Sequence, residues 1–306
     1  MGSTTAERRD TRKLVVATVA AVAVGAVVAA LAVLLSGGDA SHTAHGPKLS
    51  LHPPKLRSPQ TVYVSANHHL ITLKPHQDYV IKMPTSPLRQ PLSIAGGHNV
   101  VVIGGEIDIG PKGRHASIDA RRGLLLKGQT GVAHVEGLLI RGKGLTEGID
   151  LDQRLHSTVQ IENVRVVGVH ARDQRNFTDN HPDVIQTWAG PSRLFVDRLT
   201  ASTDYQGLFL NPQQFGGRRN RPRLFDFRHV NIAGLPTARY LLWRGTPFRM
   251  RLSDVWVKPA RRRPAKLTMW PSPEVWTGVQ IGTPGGGDFV PADSVGVHYK
   301  SPGYTR

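Results

Sequence analysis

The densest run of reactive side chains in the chain reads His170-Ala171-Arg172-Asp173-Gln174-Arg175-Asn176-Phe177-Thr178-Asp179-Asn180-His181-Pro182-Asp183-Val184-Ile185-Gln186. Imidazoles and carboxylates held close together are the groups that move protons and bind hard cations. If a strand begins near His181, alternation sets His181 and Asp183 side by side on the surface face, and Val184 and Gln186 on the opposite, inward one. Asp204, Tyr205 and Gln206 precede Gly207, which occupies the place of Asp183 in the next repeat, and Asn211 falls beside Thr187 and Asp152. Other chemistries are absent from the text. The chain has no Cys, so it has no thiolate nucleophile, haem attachment or cysteine-ligated zinc. It carries no Gly-rich phosphate loop, no Gly-x-Ser-x-Gly elbow and no His-Glu-x-x-His helix, which argues against nucleotide hydrolysis and zinc proteolysis.

The elements that must position this run are short strands. With 32 Gly, 22 Pro and few helix-favouring stretches after the first forty residues, the chain is rich in turns. One pattern recurs: an apolar residue, a polar pair, then two apolar residues in alternation. The copies start at Val135-Glu136-Gly137, Ile161-Glu162-Asn163, Val196-Asp197-Arg198, Phe227-Arg228-His229 and Leu252-Ser253-Asp254, spaced 26, 35, 31 and 25 residues apart. A looser copy precedes them at Ile103-Gly104-Gly105. Gly, Asn, His and Asp, which fill four of the five second polar positions, tolerate a left-handed backbone at least cost, as a sharp bend between two strands requires. A second strand series interleaves with the first: 148–151, 183–186, 207–210, 240–243 and 278–281. Two interleaved series predict a coil whose rungs bury one another's apolar faces. Residues 61–83 are expected to cap its first edge, and the Gly- and Pro-rich sequence after Gly282 to close the other end.

Over roughly Asn99 to Ile281 this rung pattern resembles the right-handed parallel β-helix proteins of the pectate-lyase-like superfamily. The resemblance implies an all-β fold and a groove along one sheet that binds an extended acidic polysaccharide, with lyases and glycoside hydrolases both expected. In the lyase version Arg172 or Arg175 neutralises a uronate, His181 is the base and Tyr205 the acid; Gln186, Asp204 and Asn211 contact substrate. Calcium, where used, would be held by Asp173, Asp179 and Asp183. A hydrolase needs two carboxylates across the scissile bond, and Asp150 with Asp183 on adjacent rungs is the pair to test. A non-catalytic wall-binding protein is the competing expectation.

Leu14 to Leu35 is 22 residues long, apolar and uncharged, enough to span roughly 30 Å of hydrocarbon as a helix. Arg8, Arg9, Arg12 and Lys13 precede it, so the positive-inside bias keeps residues 1–13 cytoplasmic and places the rest outside, joined by a linker over 36–60 to an extracytoplasmic domain over 61–306. A net charge of +17 calls for an anionic partner, and an outward-facing domain makes nucleic acid an unlikely one. Two basic runs, Arg218-Arg219-Asn220-Arg221-Pro222-Arg223 and Arg261-Arg262-Arg263-Pro264-Ala265-Lys266, are candidates to hold a polyanion or to lie against anionic headgroups.

Overall fold

The computed structural model describes residues 48–171 and 182–304. The span expected over 14–35 lies outside them, and no helix among the described residues is long and apolar enough to cross a membrane. The chain winds in rungs. The first two are β1 (Gln60–Tyr63) with β2 (Leu70–Leu73), and β3 (Tyr79–Lys82) with β4 (Leu92–Gly96). Next come β5 (Val100–Ile103), β6 (Glu106–Asp108) and β7 (Arg122–Lys127), then β8 (Val132–Glu136), β9 (Leu139–Arg141) and β10 (Glu147–Asp152). The later rungs are β11 (Thr158–Val169) with β12 (Ile185–Ala189), β13 (Arg193–Thr203) with β14 (Leu208–Leu210), β15 (Leu224–Gly234) with β16 (Leu242–Arg244), and β17 (Met250–Lys258) with β18 (Met269–Trp270), before a last strand β19 (Val279–Ile281).

Each strand pairs in parallel with its counterpart one rung away. The result is two stacked sheets: a short one in the order β18-β16-β14-β12-β10-β7-β4-β2, and a long one running from β1 to β19 with β6 and β9 beside its main path. The chain is therefore an all-β parallel solenoid.

All five aligned copies of the repeat stack in register: Val135, Ile161, Val196, Phe227 and Leu252 are successive partners, and the first four are buried. The second polar residue is left-handed every time, with φ of 68° at Gly137, 52° at Asn163, 55° at Arg198, 50° at His229 and 56° at Asp254. Each of these bends turns the long sheet through a corner while the flanking apolar residues stay inward. Parallel strands buried on the inner face give columns such as Leu92, Leu124, Ile149, Ile185, Leu208, Leu242 and Met269, which fill the solenoid's interior.

Three expectations are corrected here. Residues 61–83 are the first rung and the opening strand of the second, with β1 and β2 forming the sheet edges, because their alternating apolar residues pair in register with those of the next rung. Val279–Ile281 belongs to the long sheet, paired with β17, and the two-residue β18 fills the place expected for it in the short sheet. The tail after Gly282 folds back over the long sheet instead of closing the far end. Its Asp288 pairs with Arg165 (2.8 Å) and accepts from Asn231 (2.9 Å), Val290 N–H donates to Thr200 Oγ1 (2.9 Å), and Gly296 N–H to Gly137 O (2.9 Å). The outer face of the long sheet is polar at these rungs, and the tail supplies partners that water would otherwise provide.

Candidate functional site

Along the short sheet, residues on the outer face run Ser93, Leu125, Asp150, Gln186, Phe209, Trp243, Trp270 in register. Most outward residues of a solenoid are wet. Asp150 is completely buried, and so is Asp183; Glu147 is only 4% exposed. Glu147 and Asp150 sit around one guanidinium, and Asp183 lies next to them. Arg122 opens β7 directly beside Glu147 in β10. Its Nε donates to Asp150 and to Glu147 Oε2 (3.0 Å), its Nη2 pairs with Glu147 Oε2 (2.8 Å) and its Nη1 with Asp119 (2.6 Å). Trp188 covers the guanidinium, with the ring centroid 5.2 Å from its central carbon. Asp183 reaches the cluster because its carbonyl accepts Gly148 N–H (2.8 Å), which sets it beside Glu147 one rung on.

Three carboxyls and one cation cannot all be charged in a dry site. Burial pushes the Asp183 carboxyl well above the usual range, and the charge of Asp150 pushes it further. Glu147 is likewise well raised, by burial and then by Asp150 and Asp183, against the pull of Arg122. Asp150 is also raised by burial, with Arg122 and Glu147 opposing. Burial works against the charge of Arg122, but Asp150 and Glu147 outweigh it and hold the guanidinium firmly protonated. The site thus keeps protonated carboxyls at a pH where free ones are ionised. Both oxygens of Asp183, Oδ1 of Asp150, Oε1 of Gln186 and both side-chain polar atoms of the fully buried Gln206 have no hydrogen-bond partner among the described residues. Such a concentration of open polar atoms is rare in a protein interior away from a site.

Beside the cluster lies a groove of about 700 Å³ over the outer face of the short sheet. Leu70, Leu125 and Trp188 supply its apolar lining, and His69, Lys112 and Lys127 its basic rim. Asp119, the acid among its described lining residues, is held by Arg122. The groove thus combines an apolar floor with a basic rim.

The structure brings together Asp150, Asp183, Gln186 and Tyr205 from the expected set. Burial raises the Tyr205 hydroxyl, opposed by Arg239 and aided by Asp183. Asp204 is engaged in the adjoining turn, accepting Ala171 N–H (2.7 Å), and Asn211 donates its backbone N–H to Thr187 O (3.2 Å) past the end of β14. Arg218, Arg219 and Arg221 are exposed on the turn between β14 and β15, away from the outer face of the short sheet. His181, Arg172, Arg175, Asp173 and Asp179 lie outside the described residues. Among the described residues no group of three or more His, Asp or Glu is arranged to hold a metal ion.

Gln186 faces outward beside Asp150, contrary to the inward position expected for it. Val184 and Ile185 both donate N–H to Gly207 O (2.9 and 3.2 Å), a bulge that lets two consecutive residues join the core and shifts the alternation by one. The sequence reading missed Arg122, Glu147 and Trp188, while it set Gln206 beside the site. Glu147-Gly-Ile-Asp150-Leu-Asp152 was a visible signal, three acids in one strand, but only rung register sets Arg122 against it. A scan of family models and searches of curated proteins and of solved structures found no match to this chain.

Proposed function

We propose that this protein is a membrane-tethered, extracytoplasmic parallel β-helix of the right-handed, pectate-lyase-like kind that hydrolyses a glycosidic bond in an acidic polysaccharide. The observation that carries the reading is a buried carboxyl cluster in which Glu147 and Asp150 share the cation Arg122 while the neighbouring Asp183 has no ion-pair partner among the described residues. Glycoside hydrolysis needs one carboxyl that stays protonated to donate to the leaving oxygen and another that stays ionised as base or nucleophile. Asp183, neutral and with both oxygens open, is the acid. Asp150 has one oxygen on Arg122 and leaves Oδ1 without a partner among the described residues, which suits the ionised member of the pair. Glu147 shares the guanidinium with Asp150 and interacts with both carboxyls, so it tunes the charge of the pair.

Elimination would need a cation facing the uronate carboxylate; Arg122 does not offer one, since its three nitrogens are taken by Asp119, Glu147 and Asp150, and that role would fall to Lys112 or Lys127 on the groove rim. The basic rim of the groove supports an acidic polymer as substrate, and the right-handed winding follows the strong preference of parallel crossovers. The span at 14–35 and its basic flank support the tether and its orientation.

The test is to incubate the purified full chain with a panel of acidic polysaccharides and follow both reducing ends and ultraviolet absorbance. New reducing ends without unsaturated product, abolished in Asp183→Asn, support hydrolysis. Unsaturated product would establish a lyase. Neither signal on any polymer that nevertheless binds would leave the solenoid a non-catalytic wall-binding protein.

A further inference from the structure

The turns that lead from the short sheet back to the long one stack along one edge of the solenoid, and among the described residues this edge carries, beside Arg154, six exposed arginines that no acid engages. Arg193 opens β13, Arg218, Arg219, Arg221 and Arg223 lie in the turn between β14 and β15, and Arg249 precedes β17. Backbone bonds fix their stacking: Arg223 N–H donates to Ser192 O (2.7 Å), and Phe225 N–H to Arg249 O (3.0 Å). Three successive rungs, each roughly 4.8 Å from the next, thus present one patch of positive charge. None of the six has an acidic partner among the described residues, and the acids nearest in the ladder are engaged elsewhere, Asp152 by Arg154 (2.8 Å) and Asp226 by Arg228 (3.6 Å).

Two apolar side chains project from the same edge. Leu155, in the turn after β10, is 54% exposed and Phe215, in the turn after β14, is 44% exposed. The two turns meet, since the Arg154 guanidinium lies 5.7 Å from the Phe215 ring centroid. Guanidiniums around protruding aliphatic and aromatic tips are the composition that settles at the boundary of headgroups and acyl chains. A sugar ring would need an open aromatic face, and Arg154 covers one face of Phe215 while Leu155 offers none. The second basic run, 261–266, lies in the turn between β17 and β18, which leads from the long sheet to the short one, so it is not part of this patch.

We infer that this edge docks on an anionic lipid surface, with Arg193, Arg218, Arg219, Arg221, Arg223 and Arg249 on the headgroups and Leu155 and Phe215 dipping below them. The inference draws on the tethered reading only for the nearness of a bilayer, and is independent of catalysis. The other role open to Arg218, Arg219 and Arg221, holding the polysaccharide, then falls to the groove.

The absence of Cys makes the experiment clean. The full chain carrying Gln214→Cys, labelled with a polarity-sensitive fluorophore, is mixed with phosphatidylcholine vesicles with and without phosphatidylglycerol; Thr277→Cys serves as the control position. The expected result is a blue shift and quenching by a lipid-borne quencher at 214 only with phosphatidylglycerol. It should be lost at high salt and on replacing Arg218, Arg219, Arg221 and Arg223 by Ser with unchanged circular dichroism. Each arginine at an anionic surface contributes roughly fivefold, so the quadruple variant should lose affinity by on the order of a hundredfold or more. An equal response on phosphatidylcholine alone, no response on either, or a response to soluble acidic polysaccharide without vesicles overturns the inference. Flotation with phosphatidylcholine alone reads the 14–35 segment separately, so its failure would remove the tether without touching the patch.

Discussion

Asp183 shows how one residue couples stability to chemistry. Its carboxyl is completely buried and its folded-state proton affinity is raised by burial and by Asp150. A raised acid binds its proton more tightly folded than unfolded, so its contribution to stability is fully present below the ordinary carboxylate range and is lost as pH rises through the raised value. Glu147, raised for the same reasons, acts in the same direction. Asp183→Asn should therefore stabilise the domain by about 1–3 kcal/mol at neutral pH, with the gain shrinking to nothing near about pH 4, while abolishing turnover. Thermal melts of the two proteins across pH check this; an Asn variant less stable at neutral pH would mean that the carboxylate is ionised and paired. If the site hydrolyses as proposed, turnover should fall on the alkaline side as Asp183 loses its proton and on the acid side as Asp150 gains one, a bell read directly from a pH profile. His181 and Asp183 were the residues most prominent in the sequence, yet Arg122 and Glu147 give the site its charge balance, and they are 25 positions apart in the chain.

At the scale of elements, the repeat was legible because each bend demands a particular backbone. Gly137, Asn163, Arg198, His229 and Asp254 all take positive φ at the same place in successive rungs. Two glycines separate backbone strain from crowding. Gly128, with φ of 66°, has open space where a Cβ would go, whereas at Gly137, with φ of 68°, a Cβ would lie 2.1 Å from the Tyr299 ring. Gly128→Ala should cost about 1–2 kcal/mol from the left-handed conformation alone. Gly137→Ala should cost more by about 1–3 kcal/mol, because the tail must lift from the bend, and denaturant melts of both variants give the difference. Equal costs would mean that the tail is not held there. Strand phase was less legible than strand position. The bulge at Val184–Ile185 adds one residue that no propensity announces, and that residue turns Gln186 from the core to the site.

Over the whole molecule, both ends of the described chain close on the outer face of the long sheet, while the carboxylate site lies on the short one. Ser50 and Leu51 donate backbone N–H to the two oxygens of Glu162 (2.6 and 3.1 Å), Arg198 bridges Glu162 and Lys48 O (2.7 and 2.8 Å), and Tyr304 Oη–H donates to Pro54 O (2.8 Å). A solenoid stabilised rung by rung should open from its least supported end. Amides of β1 and β2, at the sheet edges, should exchange hydrogen faster than those of β11 and β13, which have neighbours on both sides and the strap and tail above them; uniform protection would instead show one all-or-none unit. The sequence by itself determined the strand-rich coil, its five-copy bend, the apolar columns and the separate stretch at 14–35, since these follow from local periodicity and from residues suited to one backbone conformation. Tertiary structure alone decided that Arg122 meets Glu147, that Gln186 faces out, that the tail runs back over the long sheet and that arginines from three turns form one patch. Each of these depends on the register between rungs, a property of which residues stack on which, and local propensity carries no information about it.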